Sequence, residues 1–394
     1  MLRILHSADW QIGKPYGTVA DEQKRFRLQQ ERLHAVGRIR DLVAQHQVQL
    51  LLVAGDLFDS TTPAAPAVLE VLEAIGAMQV PVLVIPGNHD HGASGTVWHR
   101  DDFLRQQRQF APNLQLLLER QPLVLEQAVI LPCPLLRNQD SNDPSQWLQT
   151  LDWSRLPADR PRIMLAHGGV HGFGGRDYDS DEEAQIGANN LIDLEALPAD
   201  QIDYIALGDW HNLRQVSDRA WYSGTPEPDR FDQGRDNQRG QVLLVELQRG
   251  LAPAVTPLAT GRFQWHNLSF CFRGDDDLER FERQIEALTA ARVARDLLRL
   301  EVSGSLSLAG HRRYQQRLDE LQNRLLRLRL KGECQRAPEA EELTQLTARS
   351  QDPLIARVAQ QLQHRLSRES DPDSEAAACI RTALCELFQY ANQP

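Results

Sequence analysis

The segment "LLLVAGDLFD" (residues 50–59) joins an apolar run to two aspartates. Five apolar residues that end at a glycine predict a buried β-strand. Asp56 and Asp59 follow that strand directly. An aspartate in this position is often only a helix cap or a turn residue. The segment therefore predicts a function only if other strands end in the same way.

Other apolar runs in the first 260 residues have the same form and end in glycine or a polar turn: "LRILHSA", "VPVLVIPG", "AVILPCP", "RIMLAHG" and "DYIALGD". Residues 21–47, between the first two strands, carry apolar side chains at helical spacing. Residues 61–78 begin with threonines and an early proline, which predicts a helix with a threonine cap. Strands that alternate with helices predict a layered α/β domain.

The pattern changes after about residue 260. Apolar runs in "FQWHNLSFCF", "DLLRLEVSGS" and "LLRLRLK", separated by helical stretches, predict a smaller α/β domain over 261–335 after a first domain over 1–260. Residues 336–394 are predicted to be a helical C-terminal region. Residues 311–336 hold eight Arg or Lys against three acidic residues. This run is either a solvated helix face or a surface for DNA or an acidic partner.

Composition limits the function classes. A net charge of −11 argues against a protein that coats nucleic acid through a broad basic surface, but not against a nucleic-acid enzyme. The five cysteines have no C-x-x-C spacing, so neither a disulfide framework nor a structural zinc site is predicted. No apolar stretch is long enough to span a bilayer and no secretory signal is evident, which predicts a cytoplasmic protein.

Aspartate, asparagine and histidine recur where the predicted strands end. Because ligands of an open α/β sheet gather at the carboxyl ends of its strands, these residues are expected to share one edge. They lie in five segments: Asp9, "GDLFD" (55–59), "GNHDH" (87–91), "HGGVHG" from His167, and "GDWH" (208–211). The segment 172–185, rich in glycine and acidic residues, is predicted to be a poor cradle for phosphate.

These motifs resemble the pattern of the calcineurin-like metallophosphoesterase superfamily, which is D-x-H, G-D, G-N-H-D or -E, H, and then G-H-x-H. With "YSGTPEP" (222–228) and the appended C-terminal domain, the chain resembles the SbcD and YhaO type of DNA-repair exonuclease. The resemblance covers residues 1–260 well and the remainder only in layout. It implies a layered metallophosphoesterase sandwich, α/β in class, with a smaller C-terminal α/β capping domain and terminal helices.

The resemblance also implies a site that holds two divalent metal ions. The implied ligands of the first ion are Asp9, Gln11, Asp56 and His211, and those of the second are Asp56, Asn88, His167 and Asp209. His89 matches the catalytic histidine and Asp90 its orienting carboxylate. His91 and His171 are assigned to supporting or loop positions.

Gln11 and Asp209 depart from the pattern, because each replaces a histidine. The implied set has five oxygen donors and two nitrogens, which favours manganese, with magnesium as an alternative, over zinc. Two alternatives stay open: Gln11 contacts only water or backbone, or Asp209 is only a structural turn acid.

The resemblance implies a metal-dependent exonuclease that hydrolyses phosphodiester bonds at DNA ends during repair. It implies an SMC-like ABC ATPase partner with coiled coils and possible homodimers. The lack of a bilayer-length apolar stretch predicts no membrane association. One alternative is a small-molecule phosphoesterase, such as a cyclic-nucleotide diesterase or phosphatase. Another is a non-catalytic DNA-end-binding subunit. Trp10 and Trp210, beside the implied ligands, either stack on unpaired bases or pack the rim.

Overall fold

The computed structural model describes residues 1–173, 189–231, 238–290, 292–371 and 374–391. Most of the acidic segment 172–185, predicted to be a poor cradle for phosphate, lies outside these ranges. The chain forms two compact units, Met1–Phe263 and Gln264–Pro394. No helix of the described ranges is both long and apolar enough to cross a lipid bilayer.

The first unit contains short strands and three α-helices in its described residues. In chain order the strands are β1 (Leu2–Ser7), β2 (Leu50–Ala54), β3 (Val82–Ile85), β4 (Leu114–Leu116), β5 (Leu123–Val124), β6 (Val129–Cys133), β7 (Arg162–His167), β8 (Gly169–Val170), β9 (Leu191–Ile192), β10 (Tyr204–Gly208), β11 (Arg214–Gln215), β12 (Ala220–Tyr222), β13 (Gln241–Leu247) and β14 (Ala254–Ala259). The helices are α1 (Glu22–Gln45), α2 (Ala65–Gly76) and α3 (Asp101–Phe110). Single 3₁₀ turns cover Val97–His99, Gln146–Thr150 and Trp153–Arg155.

Two six-stranded sheets form the core of the first unit. The first has the order β14-β13-β1-β2-β3-β4, in which β1 to β4 are parallel and β13 is antiparallel to both of its neighbours. The second has the order β11-β12-β10-β7-β6-β5, with parallel pairing from β12 to β6. The six strands predicted from the sequence are β1, β2, β3, β6, β7 and β10, which lie in the parallel parts of these sheets.

Alternation along β2 shows why the two sheets stack. Leu50, Leu52 and Ala54 pack in a cluster with side chains of the second sheet, including Ile163 and Leu165. The intervening residues of β2 belong to a cluster on the other face, which contains side chains of α1, α2 and α3. Each buried Leu contributes about 2 kcal/mol relative to an exposed one. A strand buried on both faces therefore carries an uninterrupted apolar sequence.

The helix starts agree only in part with the sequence signals. Asp21 caps α1, because its side chain accepts a hydrogen bond from the Lys24 N–H at 3.0 Å. The predicted threonine cap of α2 is wrong: the helix begins after Ala64, whose side chain cannot cap it. Pro66, which has no N–H to satisfy, occupies the first turn of α2 instead.

Gly208, at the end of β10, should not tolerate a side chain. A Cβ there would overlap the carbonyl oxygen of Ala54, which belongs to the other sheet, and would press on the ring of His167. We expect Gly208→Ala to lower the free energy of unfolding by about 1–3 kcal/mol, since a backbone contact cannot yield cheaply. Gly37→Ala is the matched control: its Cβ would enter open space on α1, so stability should rise by up to about 1 kcal/mol. Urea unfolding measures both, and equal stability of the two variants would contradict the close approach.

The second unit has a four-stranded parallel sheet and helices. Its elements are β15 (Gln264–Phe272), α4 (Asp277–Thr289), β16 (Asp296–Leu306), α5 (Leu308–Arg324), β17 (Arg327–Gly332), β18 (Gln335–Arg336), α6 (Ala340–Thr347), α7 (Pro353–Leu366) and α8 (Glu375–Ala391). β16 pairs with the three other strands. Aromatic rings from β15, α4 and α5 pack together in its core. The predicted fold class, α/β with a smaller C-terminal α/β region and terminal helices, is confirmed.

Several arginines of the basic run 311–336 pair with acidic residues of the second unit. Arg313 contacts Glu282 at 3.0 Å, and Arg324 contacts Glu286 at 3.1 Å, both acidic residues of α4. Arg336 forms two hydrogen bonds with Glu342. These arginines face carboxylates of the same unit, but only the part of the run up to Arg324 is helical, because Arg327–Gly332 and Gln335–Arg336 are strands.

Candidate metal centre

The predicted site residues lie at the carboxyl ends of five strands that belong to the parallel parts of the two sheets. Asp9 follows β1, Asp56 follows β2, and Asn88 and His89 follow β3. His167 is the last residue of β7, and Asp209 follows β10. The hydrogen-bonding register within each sheet and the packing between the sheets bring these loops to one place.

A group of buried metal-competent side chains forms there. Within the described ranges, ligand atoms of Asp9, Asp56 and His167 all lie within 4.8 Å of one another. The Nε2 atom of His167 lies 2.8 Å from Asn88 Oδ1, 3.6 Å from Asp56 Oδ2 and 3.8 Å from Asp209 Oδ1. Its Nδ1 atom lies 2.8 Å from the carbonyl oxygen of Ala54, which fixes the ring and directs Nε2 into the group.

Strained backbone conformations also occur at this place. Four predicted ligands have positive φ angles: Asp9 (55°), Gln11 (41°), Asp56 (53°) and Asp209 (104°). Residues other than glycine adopt this region at a cost of about 1–3 kcal/mol each, and they cluster at functional sites.

The carboxylates of the centre concentrate negative charge in a buried space. Burial raises the pKa of Asp9 well above its usual range; His167 opposes this, whereas Asp56 and Asp209 add to it. Burial alone would lower the pKa of His167, but Asp56, Asp9 and Asp209 raise it to about 9. Buried negative charge of this kind is stabilised by a bound cation. The donor set of carboxylates, an amide oxygen and an imidazole nitrogen fits a divalent metal ion.

Close approach of the loops explains the glycine that begins the motif "GNHDH". A Cβ on Gly87 would overlap the carboxylate and the backbone nitrogen of Asp56. The carboxylate is held in return by the backbone, since Asp56 Oδ1 accepts a hydrogen bond from the His89 N–H at 2.9 Å. The loops after β2 and β3 are therefore packed directly against each other.

His89 and Asp90 have different surroundings. The Nδ1 atom of His89 lies 3.0 Å from the carbonyl oxygen of Asp59, and its Nε2 atom lies 4.0 Å from Asp56 Oδ2. Asp90 was predicted to orient His89, but its two carboxylate oxygens accept hydrogen bonds from the N–H groups of Phe58 and Gly87. Burial and Asp56 raise the pKa of Asp90 to about 7, although both N–H groups oppose the shift. These contacts tie the loops after β2 and β3 together.

Gln11 and His211, predicted for the first metal, face each other across a corner of the centre. Gln11 Nε2 lies 3.3 Å from His211 Nε2, while Lys14 donates a hydrogen bond to Gln11 Oε1 at 2.8 Å. The other ring nitrogen of His211 lies 2.8 Å from Asp229 Oδ2. Burial alone would raise the pKa of Asp229, but Arg230, His211 and Lys14 hold it well below its usual range.

Sequence reasoning did not identify the residues that support the loop of Asp9. Arg32, buried on α1, donates hydrogen bonds to the carbonyl oxygens of Trp10 (2.8 Å) and Asp9 (2.9 Å). Thr225, from "YSGTPEP", also donates to the Asp9 carbonyl at 2.9 Å. The motif "YSGTPEP" marks Thr225 in the sequence. Arg32 lies in a helix with many charged residues, and nothing in the sequence distinguishes it from them.

Two tryptophans beside the centre pack in the interior. Trp10 is 1% exposed and donates a hydrogen bond to Ser7 Oγ at 2.8 Å. Trp210 is 4% exposed and its ring contacts that of Tyr222. The alternative in which these rings stack on unpaired bases is therefore wrong, and the packing alternative is confirmed.

Comparison with known proteins places these features in a family context. The sequence model described as calcineurin-like phosphoesterase matches residues 2–213. The chain is 27% identical over 274 residues to the SbcD component of the nuclease SbcCD of Bacillus subtilis (strain 168), covering 63% of this chain and 67% of that protein. It is 25% identical over 294 residues to the Escherichia coli (strain K12) protein of the same name, covering 65% and 68%. Among crystal structures, TT1561 of Thermus thermophilus matches with a TM-score of 0.40 and 10% identity, covering 66% of this chain and 99% of that one.

Proposed function

The chain belongs to the calcineurin-like phosphoesterase family, and we propose that it is a divalent-metal-dependent phosphodiesterase that acts on DNA ends. The observation that carries the proposal is the buried group of Asp9, Asp56 and His167 at the strand ends. His89 stands beside this group with its side chain 31% exposed, so a substrate can reach it. Buried carboxylates at strained backbone positions cost free energy unless a cation binds them, which argues against an emptied, non-catalytic site.

Five residues would hold the metal: Asp9, Asp56, Asn88, His167 and Asp209. A bound divalent ion would lower the pKa of a water ligand and neutralise charge on the phosphoryl oxygens. The mainly oxygen donor set supports manganese or magnesium as the ion. The first of the two ions that the resemblance implies would lie between Gln11 and His211, at the corner where Lys14 contacts Gln11.

His89 is proposed to protonate the leaving sugar oxygen. Because the Asp59 carbonyl oxygen can only accept a hydrogen bond, it places a proton on Nδ1 of His89. In the protonated imidazolium form, the Nε2 atom, on the side of Asp56, is then the position that gives its proton to the leaving oxygen. In this proposal the Asp59 carbonyl oxygen orients His89, the role predicted for Asp90. Asp90 instead holds the backbone N–H groups of Phe58 and Gly87.

DNA as substrate and a protein partner are proposed from the relatives, which are named as one component of a nuclease. The predicted SMC-like ABC ATPase would dock on the terminal helices. Leu354 and Val358 of α7 and Tyr390 of α8 are exposed apolar residues that such a partner could cover. A capping role of the second unit, a homodimer, participation in repair and a cytoplasmic location are further parts of this proposal.

Small-molecule phosphoesterase activity is the alternative that an assay must separate. We expect the purified chain with Mn²⁺ to degrade linear DNA, and EDTA to abolish this activity. Nicked and hairpin DNA, bis(4-nitrophenyl) phosphate and a cyclic nucleotide are tested in parallel. Turnover restricted to the two small compounds would contradict the proposal, and absence of both turnover and metal binding would support a non-catalytic DNA-end-binding subunit.

A further inference from the structure

A lysine ammonium enters the corner of the centre where the first of two metal ions would be expected. The Nζ atom of Lys14 lies 2.8 Å from Gln11 Oε1 and 3.1 Å from Asp229 Oδ2. The Lys14 side chain is 16% exposed, so most of it is removed from water. Lys14 lies three residues after Gln11, on the turn that follows β1, so the same loop supplies both groups.

The ammonium determines which atom of Gln11 faces the centre. An ammonium group has donors only, so it must meet the amide oxygen of Gln11 and not the amide nitrogen. The nitrogen is then directed to His211, where Gln11 Nε2 lies 3.3 Å from the ring Nε2. An amide NH₂ group has no lone pair suitable for a metal. Both donors proposed for a first metal, Gln11 Oε1 and His211 Nε2, are thus engaged in hydrogen bonds.

Further cations surround the same corner. Arg230 Nη2 lies 3.0 Å from Asp229 Oδ2 and 2.7 Å from His211 Nδ1. Arg239 Nη1 lies 3.8 Å from Asp229 Oδ1. The side chains of Arg230 and Arg239 are both 3% exposed. Of these cations the Lys14 ammonium contacts Gln11 itself, so a divalent ion between Gln11 and His211 would meet its charge directly, and repulsion in a buried site is poorly screened.

We propose that the Lys14 ammonium replaces one of the two metal ions, so that the chain binds a single divalent cation at the position of Asp9, Asp56, Asn88, His167 and Asp209. Gln11 serves as the residue that seats the ammonium. This inference rests on the proposed function, because it concerns the composition of the same site. It explains why the histidine of the D-x-H pattern is absent: a glutamine oxygen accepts a hydrogen bond from a lysine, whereas a metal-ligating imidazole would not.

Metal stoichiometry tests this inference independently of catalysis. The full chain, freed of metal, is dialysed against increasing Mn²⁺, and bound manganese is counted by elemental analysis. We expect one Mn²⁺ per chain and the electron paramagnetic resonance spectrum of isolated ions. Two Mn²⁺ per chain with a spin-coupled spectrum would overturn the inference and leave the proposed function standing. No bound Mn²⁺ would overturn both.

Variants test whether Lys14 is the residue that limits the chain to one metal ion. The double variant Lys14→Met with Gln11→His removes the charge, keeps most of the stem and restores a ligand, so stoichiometry should double to two Mn²⁺ per chain. Lys331→Met, on β17 of the second unit, is the matched control and should keep one. Thermal unfolding without metal shows that each variant is folded. A folded double variant that still binds one ion would overturn the role of Lys14. The single variants Gln11→His and Lys14→Met then show which of the two substitutions does not open the second metal position. The metal count of the wild type tests the inference whether or not the double variant folds.

Discussion

Replacing Asp56 with asparagine should abolish the proposed DNA hydrolysis and the proposed binding of a metal ion at the same time. Asp56 Oδ2 lies 3.6 Å from His167 Nε2, and the Asp56 carboxylate forms the buried metal-competent group together with Asp9 and His167. Loss of an outer-shell partner costs about 10–100-fold in metal affinity or activity, so loss of a central charged ligand should cost more than about 100-fold. Mn²⁺ binding and initial rates on linear DNA measure the two effects.

Asparagine separates the loss of charge from a loss of packing. It has nearly the volume of aspartate and keeps an oxygen that can accept the hydrogen bond from the His89 N–H. Asp41→Asn is the control, since Asp41 is an exposed residue of α1 whose side chain is 67% accessible and it should retain full activity. If Asp56→Asn bound Mn²⁺ as tightly as the wild type, the buried acidic group would not be a metal site.

The position of the centre was predictable because it depends on a general property of parallel sheets. Asp9, Asp56, Asn88 and His167 each follow an apolar run, and the carboxyl ends of such strands meet at one edge. Local sequence was sufficient to find the strands, since apolar runs that end in glycine are visible without any tertiary information. The fold class followed from the alternation of those strands with helices.

Elements that depend on distant contacts were not predictable in the same way. Strand β13, "QVLLVEL", was missed, although it lies between β1 and β14 in the first sheet, because the prediction relied on strands that alternate with helices. The corner of Gln11 and His211 joins residues 200 positions apart. The roles of Lys14 and Asp229 can be inferred only from their positions beside that contact. A motif therefore shows which residues resemble ligands, whereas the neighbours decide whether a residue is available to ligate.

Replacing His89 with alanine should reduce turnover while the metal stays bound. His89 Nε2 stands 4.0 Å from Asp56 Oδ2, and Nδ1 is held by the Asp59 carbonyl oxygen, so the side chain is poised over the centre without being part of the buried group. A positioned general acid contributes about 10²–10⁴-fold, which sets the expected fall in kcat. Mn²⁺ affinity should remain within about twofold of the wild type, because metal affinity depends on the ligands and their partners. His34→Ala, an exposed position on α1, is the control.

The leaving group distinguishes proton donation from a structural role. A sugar hydroxyl needs a proton as it departs, whereas 4-nitrophenolate leaves without one, so His89→Ala should lose far less activity on a 4-nitrophenyl ester of thymidine phosphate than on DNA. Equal losses on both substrates would show that His89 only shapes the loop, and simultaneous loss of Mn²⁺ would show that it belongs among the ligands.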